Sequence, residues 1–145
     1  MAAVVVRAAD YGANWREYIQ RIEEEVLVIC QIETAEAVEN AAEIATVEDV
    51  DLLFIGPFDL SASLGFLGQP DHPDVMAAIS RVEAAAVSAG KLLGGISTPG
   101  RGVGDLLSAG YRMILPDSDL ALLREGARSS VEQLRELLDE SETTG

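Results

Sequence analysis

Two hydrophobic patterns alternate along this chain. Continuous apolar runs, typical of strands buried on both faces of a parallel sheet, cover residues 26–32, 51–56, 92–97 and 111–115. Around these runs, apolar residues recur at the three- and four-residue spacing of amphipathic helices, over residues 14–24, 35–45, 73–89, 102–108 and 119–138. The repeated strand–helix order predicts an α/β fold with a parallel sheet and right-handed crossovers.

The helix that begins at Pro73 has a well-defined apolar face. Proline is favoured in the first turn of a helix, where its missing N–H group is not needed. Val75, Ile79, Val82 and Ala86 follow at helical spacing, so we expect this face to pack against the sheet.

Two acidic residues follow neighbouring predicted strands. Glu33 comes directly after the first apolar run, and Asp59 comes after the second, in the stretch FIGPFDLS. They are 59 − 33 = 26 residues apart, close to the roughly 30 residues that each unit of an eight-unit β/α barrel uses. The spacing therefore predicts that both lie where parallel strands end, which is where a barrel or an open doubly wound sheet binds its ligand.

A shared metal ion would reconcile Glu33 and Asp59. Converging carboxylates repel each other unless a cation lies between them, and no Lys, Arg or His is near either residue in the sequence. Oxygen ligands favour Mg²⁺ or Mn²⁺, with Co²⁺ as a further candidate. The alternative is that Glu33 caps the helix at 35–45 and Asp59 caps a turn at 60–65.

Charge and hydropathy exclude several classes of partner. The 145 residues carry a formal net charge of −15, and such a surface repels nucleic acid and anionic lipid. No apolar run approaches the roughly 18 residues of a membrane span, and the first residues lack the basic segment of a signal peptide. We therefore expect a cytoplasmic protein without nucleic-acid or membrane partners. The single cysteine, Cys30, excludes an internal disulfide and is predicted to fill the core.

Two long stretches resemble a known family. QIETAEAVENAAEIATVEDVD and LLFIGPFDLSASLGFLGQPDHPDVMAAI closely resemble the HpcH/HpaI family of class II, metal-dependent aldolases. The resemblance continues through AGKLLGGI and SDLALL, from about Arg7 to the last helix. It implies that residues 1–140 form one partial (β/α) barrel domain, the carboxyl-terminal half of a TIM barrel, followed by a loose tail at 141–145.

The resemblance also implies a reaction and a set of site residues. Glu33 and Asp59 match the metal ligands, and Gln31 matches a side chain that contacts the keto-acid. The backbone N–H groups of Phe58 and Asp59 match the groups that hold the substrate carboxylate, with Gly56 letting the backbone approach closely. The implied reaction cleaves a 2-keto-3-deoxy or 4-hydroxy-2-oxo acid to pyruvate and an aldehyde, with the metal stabilising the enolate.

The implied catalytic machinery is incomplete in these 145 residues. The family's catalytic base, the acid beside it and an arginine lie in an amino-terminal half that has no counterpart here, so we predict no catalytic residue. The chain is therefore expected to assemble as a homo-oligomer or with a complementary half-barrel. The alternatives are a non-catalytic half-barrel that binds metal, or a citrate-lyase-type enzyme acting on a CoA thioester.

Two other residues are candidates for catalysis and are assigned structural roles. His72 is the only histidine and is predicted to serve a loop or helix cap rather than to act as a base. Lys91 is the only lysine and the only candidate for a Schiff base. Because Lys91 precedes its strand, we expect it at the amino ends of the strands, whereas Glu33 and Asp59 are expected at the carboxyl ends.

Overall fold

Four parallel strands form one sheet in a computed structural model of the protein. The structure describes residues 5–143, with the exception of the side chains of Glu23 and of residues 140–143. Within this part, the strands pair in the order in which they occur along the chain. They are β1 (Ile29–Ile32), β2 (Leu52–Ile55), β3 (Leu92–Ile96) and β4 (Tyr111–Leu115). The predicted α/β class with parallel units is confirmed.

Helices precede, connect and follow the strands. A 3₁₀ helix (Arg7–Gly12) and α1 (Trp15–Glu25) come before β1. The connection from β1 to β2 contains α2 (Ala35–Glu39) and α3 (Ala41–Thr46), and the connection from β2 to β3 contains α4 (Pro57–Ser63) and α5 (Pro73–Ser88). The connection from β3 to β4 contains α6 (Val103–Ser108), and α7 (Asp119–Thr143) follows β4. Every helix predicted from the hydrophobic pattern is present, with ends that differ by a few residues.

Three local features differ from the predictions. The helix expected at 35–45 is divided at Asn40, whose ψ of 1° departs from the helical range. The first strand begins at Ile29 rather than at residue 26, and the three apolar residues before it are exposed. Residues 57–63 form the helix α4 in place of a turn at 60–65, and Pro57 occupies the first helical position.

The core lies between one face of the sheet and α5. Val75, Ile79, Val82 and Ala86 are all buried, which confirms the predicted face of this helix. They pack in one cluster with sheet residues of every strand, among them Ile32, Leu53, Ile55, Leu93 and Tyr111. Because side chains alternate along a strand, the residues between these belong to the other face, which carries Gln31.

The opposite face of the sheet is also closely packed at its centre. A side-chain carbon added at Gly94 would lie 2.8 Å from atoms of Leu52 and of Phe54, and 3.3 Å from Met113. Leu52 and Phe54 are buried. The glycine therefore lets side chains of the two neighbouring strands, β2 and β4, pack closely over β3.

The long helix α7 exposes the apolar stripe that the sequence predicts. Leu120, Leu123 and Leu134 are 73%, 71% and 61% exposed, so the stripe is not buried against the part of the chain that the structure describes. Of the predicted loose tail at 141–145, residues 141–143 belong to this helix and the last two lie outside the described residues. In residues 5–143, no helix is both long and apolar enough to cross a membrane.

Candidate functional site

Gln31 and Glu33 meet where β1 ends. Residues 29–32 pair in parallel with residues 52–55, so Glu33 leaves β1 beside the point where Gly56 leaves β2. The two side chains point the same way because they are two residues apart in extended backbone. The side-chain amide Nε2 of Gln31 donates a 2.7 Å hydrogen bond to Oε2 of Glu33. One oxygen of the carboxylate is therefore held in place by the strand that carries it.

The backbone of Gly56 supports this pair from the neighbouring strand. A side-chain carbon at position 56 would lie 3.3 Å from Cβ of Glu33, 3.4 Å from Oε2 of Glu33 and 3.4 Å from Nε2 of Gln31. The glycine has a φ of −100°, so it is not required for an unusual backbone conformation. Its role is to leave room for the two polar side chains.

Asp59 lies one helical turn beyond Gly56, in α4. Gly56 is the N-cap of this helix, Pro57 occupies its first position, and Phe58 and Asp59 complete the first turn. The side chains of Phe58 and Asp59 are exposed. The first N–H groups of a helix have no acceptor within it, and they carry its partial positive charge. The backbone of Phe58 and Asp59 can therefore receive an anionic group.

The segment after Glu33 is bonded to the far end of α4. The backbone N–H of Ala35 donates a 3.0 Å hydrogen bond to Oγ of Ser63, the last residue of α4. Thr34 is the N-cap of α2, and its Oγ1 accepts from the N–H of Ala37 at 3.1 Å. Thr34, not Glu33, therefore caps this helix. No local sequence signal identifies the Ala35–Ser63 bond, because its partners are 28 residues apart.

Asp71 fastens the loop that follows β3. Its carboxylate accepts from Oγ1 of Thr98 and, at 3.0 Å, from the N–H of Gly100. A side-chain carbon at Gly100 would come within 2.7 Å of Cγ of Asp71. At the start of α6, the N–H of Gly102 donates to the side chain of Asp105. An acidic group of the chain itself thus lies at this helix start, and the loop is anchored by these bonds.

An ion pair and a hydrogen bond connect Arg101 of the same loop and Tyr111 of β4 to Glu83 of α5. Nη1 of Arg101 lies 2.6 Å from Oε1 of Glu83, and the hydroxyl of Tyr111 donates to the same oxygen at 2.7 Å. Burial by itself lowers the pKa of Arg101, but the hydrogen bonds and electrostatic attraction of Glu83 and Tyr111 together outweigh this effect, so the pKa of Arg101 is raised. Burial, followed by the hydrogen bond to Glu83, raises the pKa of Tyr111 far above its ordinary value.

The two structural assignments made from sequence are consistent with their contacts. His72 is the N-cap of α5: its Nδ1 accepts from the N–H of Asp74 at 3.2 Å, and its ring stacks on Phe66 with centroids 3.7 Å apart. Lys91 precedes β3, and its Nζ donates to the backbone oxygens of Val47 and Glu48 at 3.0 and 3.2 Å. Its ammonium group therefore lies just beyond the carboxyl end of α3.

The structure brings some of the predicted site residues into direct contact. Gln31 and Glu33 are hydrogen-bonded, and both lie against Gly56, while Phe58 and Asp59 occupy the first turn that follows it. In the described part of the chain, no cluster of three or more His, Cys, Asp or Glu could hold a metal ion. The metal and substrate roles of these residues stay predictions.

Comparisons with known proteins match most of this chain. A family model described as HpcH/HpaI aldolase/citrate lyase matches residues 1–125. A 2-dehydro-3,6-dideoxy-6-sulfogluconate aldolase from Pseudomonas putida is 39% identical over 133 residues, which are 92% of this chain and 52% of that protein. A hydroxypyruvate/pyruvate aldolase from Paraburkholderia phytofirmans is 37% identical over 133 residues, 92% of this chain and 51% of the relative.

The fold agrees with a crystal structure. A HpcH/HpaI aldolase/citrate lyase family protein from Burkholderia cenocepacia superposes with a TM-score of 0.83 at 39% identity, over 93% of this chain and 52% of that one. The chain thus spans about half the length of the curated relatives that it matches.

Proposed function

Because this chain belongs to the HpcH/HpaI aldolase/citrate lyase family, we propose that it supplies the metal-binding and keto-acid-binding half of an aldolase. The reaction is the cleavage of a 4-hydroxy-2-oxo or 2-keto-3-deoxy acid to pyruvate and an aldehyde. Relatives named as aldolases of pyruvate and hydroxypyruvate support this reaction class. The observation that carries the proposal is the Gln31–Glu33 pair held against Gly56 where two neighbouring strands end.

The donor set suits a divalent metal. Glu33 and Asp59 offer carboxylate oxygens alone, and such ligands favour Mg²⁺ or Mn²⁺, with Co²⁺ also acceptable. Mg²⁺ is commonly bound through one or two carboxylates, with water or substrate as the other ligands, so the absence of a three-residue cluster among the described residues does not conflict with this fit. When bound, the metal supplies Lewis-acid stabilisation of the negative charge that develops during cleavage.

The remaining residues orient the ligands and the substrate. Gln31 holds Oε2 of Glu33, and hydrogen bonds to ligating carboxylates tune metal sites. The amide of Gln31 has a second N–H and an oxygen, with which it contacts the keto-acid. The N–H groups of Phe58 and Asp59 bind the substrate carboxylate at the positive end of α4.

A complementary half-barrel completes the proposed catalytic site. In the described part of the chain, β1 pairs only with β2 and β4 pairs only with β3, so both edges of the sheet are open. Open parallel edges are sites for further strand pairing. We propose that a complementary half-barrel, in the same polypeptide or in another, covers them and contributes the base that moves the proton. Assembly into a homo-oligomer and a cytoplasmic location also remain proposals.

Two observations favour a non-catalytic alternative. The His72 ring is occupied as a helix cap and stacked on Phe66, and Lys91 is bonded to carbonyls at the amino end of β3, whereas Glu33 follows the carboxyl end of β1. On this alternative, the chain binds metal and keto-acid without turnover. A citrate-lyase-type reaction on a CoA thioester is the other alternative within the same family.

Titration with Mn²⁺ followed by electron paramagnetic resonance tests the proposal. We expect Glu33→Gln and Asp59→Asn each to weaken binding by at least about tenfold, whereas Glu36→Gln, an exposed acid in the first turn of α2, keeps the affinity of the wild type. Pyruvate release from a 4-hydroxy-2-oxo acid, with a complementary half-barrel supplied, separates the enzyme from the non-catalytic alternative. Failure of the unaltered protein to bind Mn²⁺ would contradict the proposed metal site.

A further inference from the structure

Two contacts hold α4 to the segment that follows β1. At the amino end of α4, its N-cap Gly56 lies against the side chain of Glu33. At the carboxyl end, Oγ of Ser63 accepts the N–H of Ala35 at 3.0 Å. The segment from Glu33 to Ala35 therefore contacts α4 near both ends of that helix.

The Ala35–Ser63 hydrogen bond links the two segments that carry Glu33 and Asp59, the carboxylates that we propose as metal ligands. Glu33 is two residues before Ala35, and Asp59 is four residues, about one helical turn, before Ser63 on the same short helix. Residues four apart lie on one face of a helix. Ser63 and Asp59 therefore share a face of α4, and Ser63 uses that face to bond the segment that carries Glu33.

We infer that Ser63 is a positioning residue that sets the placement of Asp59 relative to Glu33, an inference that rests on the proposed function. α4 has only seven residues, and so short a helix is not stable in isolation. Its direction depends on what its ends contact. The Ala35 N–H is one of the unpaired donors at the start of α2, and Ser63 supplies the acceptor that this donor lacks within its own helix.

Removal of the hydroxyl should disturb metal binding more than folding. Ser63 is exposed, so Ser63→Ala leaves the core unchanged and removes one hydrogen bond. We expect the Mn²⁺ dissociation constant of Ser63→Ala to rise by about tenfold, as is typical when a group that orients a metal ligand is lost. Ser63→Thr keeps Oγ and should restore the affinity of the wild type. Ser80→Ala, an exposed serine on α5, is the matched control and should bind Mn²⁺ normally.

The experiment is a Mn²⁺ titration of these variants, with the thermal unfolding midpoint measured on the same samples. A merely structural serine would lower the unfolding midpoint of Ser63→Ala and leave its Mn²⁺ affinity equal to that of the wild type, and that result would overturn the inference. Weak binding by both Ser63→Ala and Ser63→Thr would also overturn it, since the hydroxyl would then not be the cause. If the wild type itself does not bind Mn²⁺, the proposed function fails and the inference fails with it, a result that differs from failure of the inference alone.

Discussion

The side-chain amide of Gln31 donates a hydrogen bond of 2.7 Å to Glu33, and the α-carbon of Gly56 on the neighbouring strand faces both side chains. Gln31 of β1, Glu33 directly after β1 and Gly56 directly after β2 thus form one packed unit where the sheet ends. Because a side chain at position 56 would crowd Gln31 and Glu33, a substitution of Gly56 tests the placement of this pair without altering either polar side chain.

Gly56→Ala is expected to weaken Mn²⁺ binding several-fold with little loss of stability. The added carbon would lie 3.3 Å from Glu33 and 3.4 Å from Gln31, so these side chains must shift by a few tenths of an ångström, and small misplacements at sites of this kind have large effects. Titration with Mn²⁺ and thermal unfolding measure the two effects. Gly104→Ala is the control, since nothing lies within 4 Å of a carbon added there. Equal affinities in Gly56→Ala and the wild type would show that the pair does not need its present position.

Tyr111→Phe is expected to change how stability depends on pH. The pKa of Tyr111 is raised by burial and by its bond to Glu83, so the unfolded phenol ionises from about pH 10 while the folded one stays protonated. The stability that this difference represents is present below pH 10 and is lost at higher pH, by up to about 1.4 kcal/mol per pH unit. Urea unfolding between pH 8 and pH 11 should show the wild type losing stability more steeply than Tyr111→Phe.

At pH 8, the Tyr111→Phe variant should be less stable than the wild type by about 1–3 kcal/mol, because it lacks a hydrogen bond to a charged group. The difference in free energy of unfolding between the wild type and Tyr111→Phe should decrease as the pH rises. Tyr11→Phe, at an exposed position, should follow the wild-type curve. A Tyr111→Phe curve that runs parallel to the wild type throughout would show that the buried hydroxyl does not govern the alkaline loss.

Lys91→Met is expected to lower the free energy of unfolding by about 1 kcal/mol. The ammonium group of Lys91 donates to two backbone oxygens just beyond the carboxyl end of α3, where its positive charge interacts favourably with the helix dipole. Lys91→Arg keeps the charge and should lose less stability than Lys91→Met. Borohydride treatment in the presence of pyruvate should add no mass to the wild type, because a Schiff base is not part of the proposed mechanism. A trapped adduct at Lys91 would contradict that mechanism.

The hydrophobic pattern alone predicted the fold because secondary structure is encoded locally. The stripe from Val75 to Ala86 has the period of a helix, and the short apolar run at residues 111–115 is typical of a buried strand. Glu33 and Gln31 could likewise be assigned to one face, since side chains two residues apart in a strand point the same way. The sequence does not predict the helix α4, because Gly56 and Pro57 are residues typical of turns, although Pro57 also suits the first position of a helix.

What the sequence by itself determined is therefore the order of strands and helices and the parallel class, with Glu33 and Asp59 placed after neighbouring strands. Only the tertiary structure decided which distant residues hold them. Ser63 bonds Ala35, Asp71 bonds Thr98, and Glu83 lies between Arg101 and Tyr111. Local periodicity contains no information on such pairs, because a hydrogen bond between residues some 20 to 30 positions apart depends on how helices pack against the sheet.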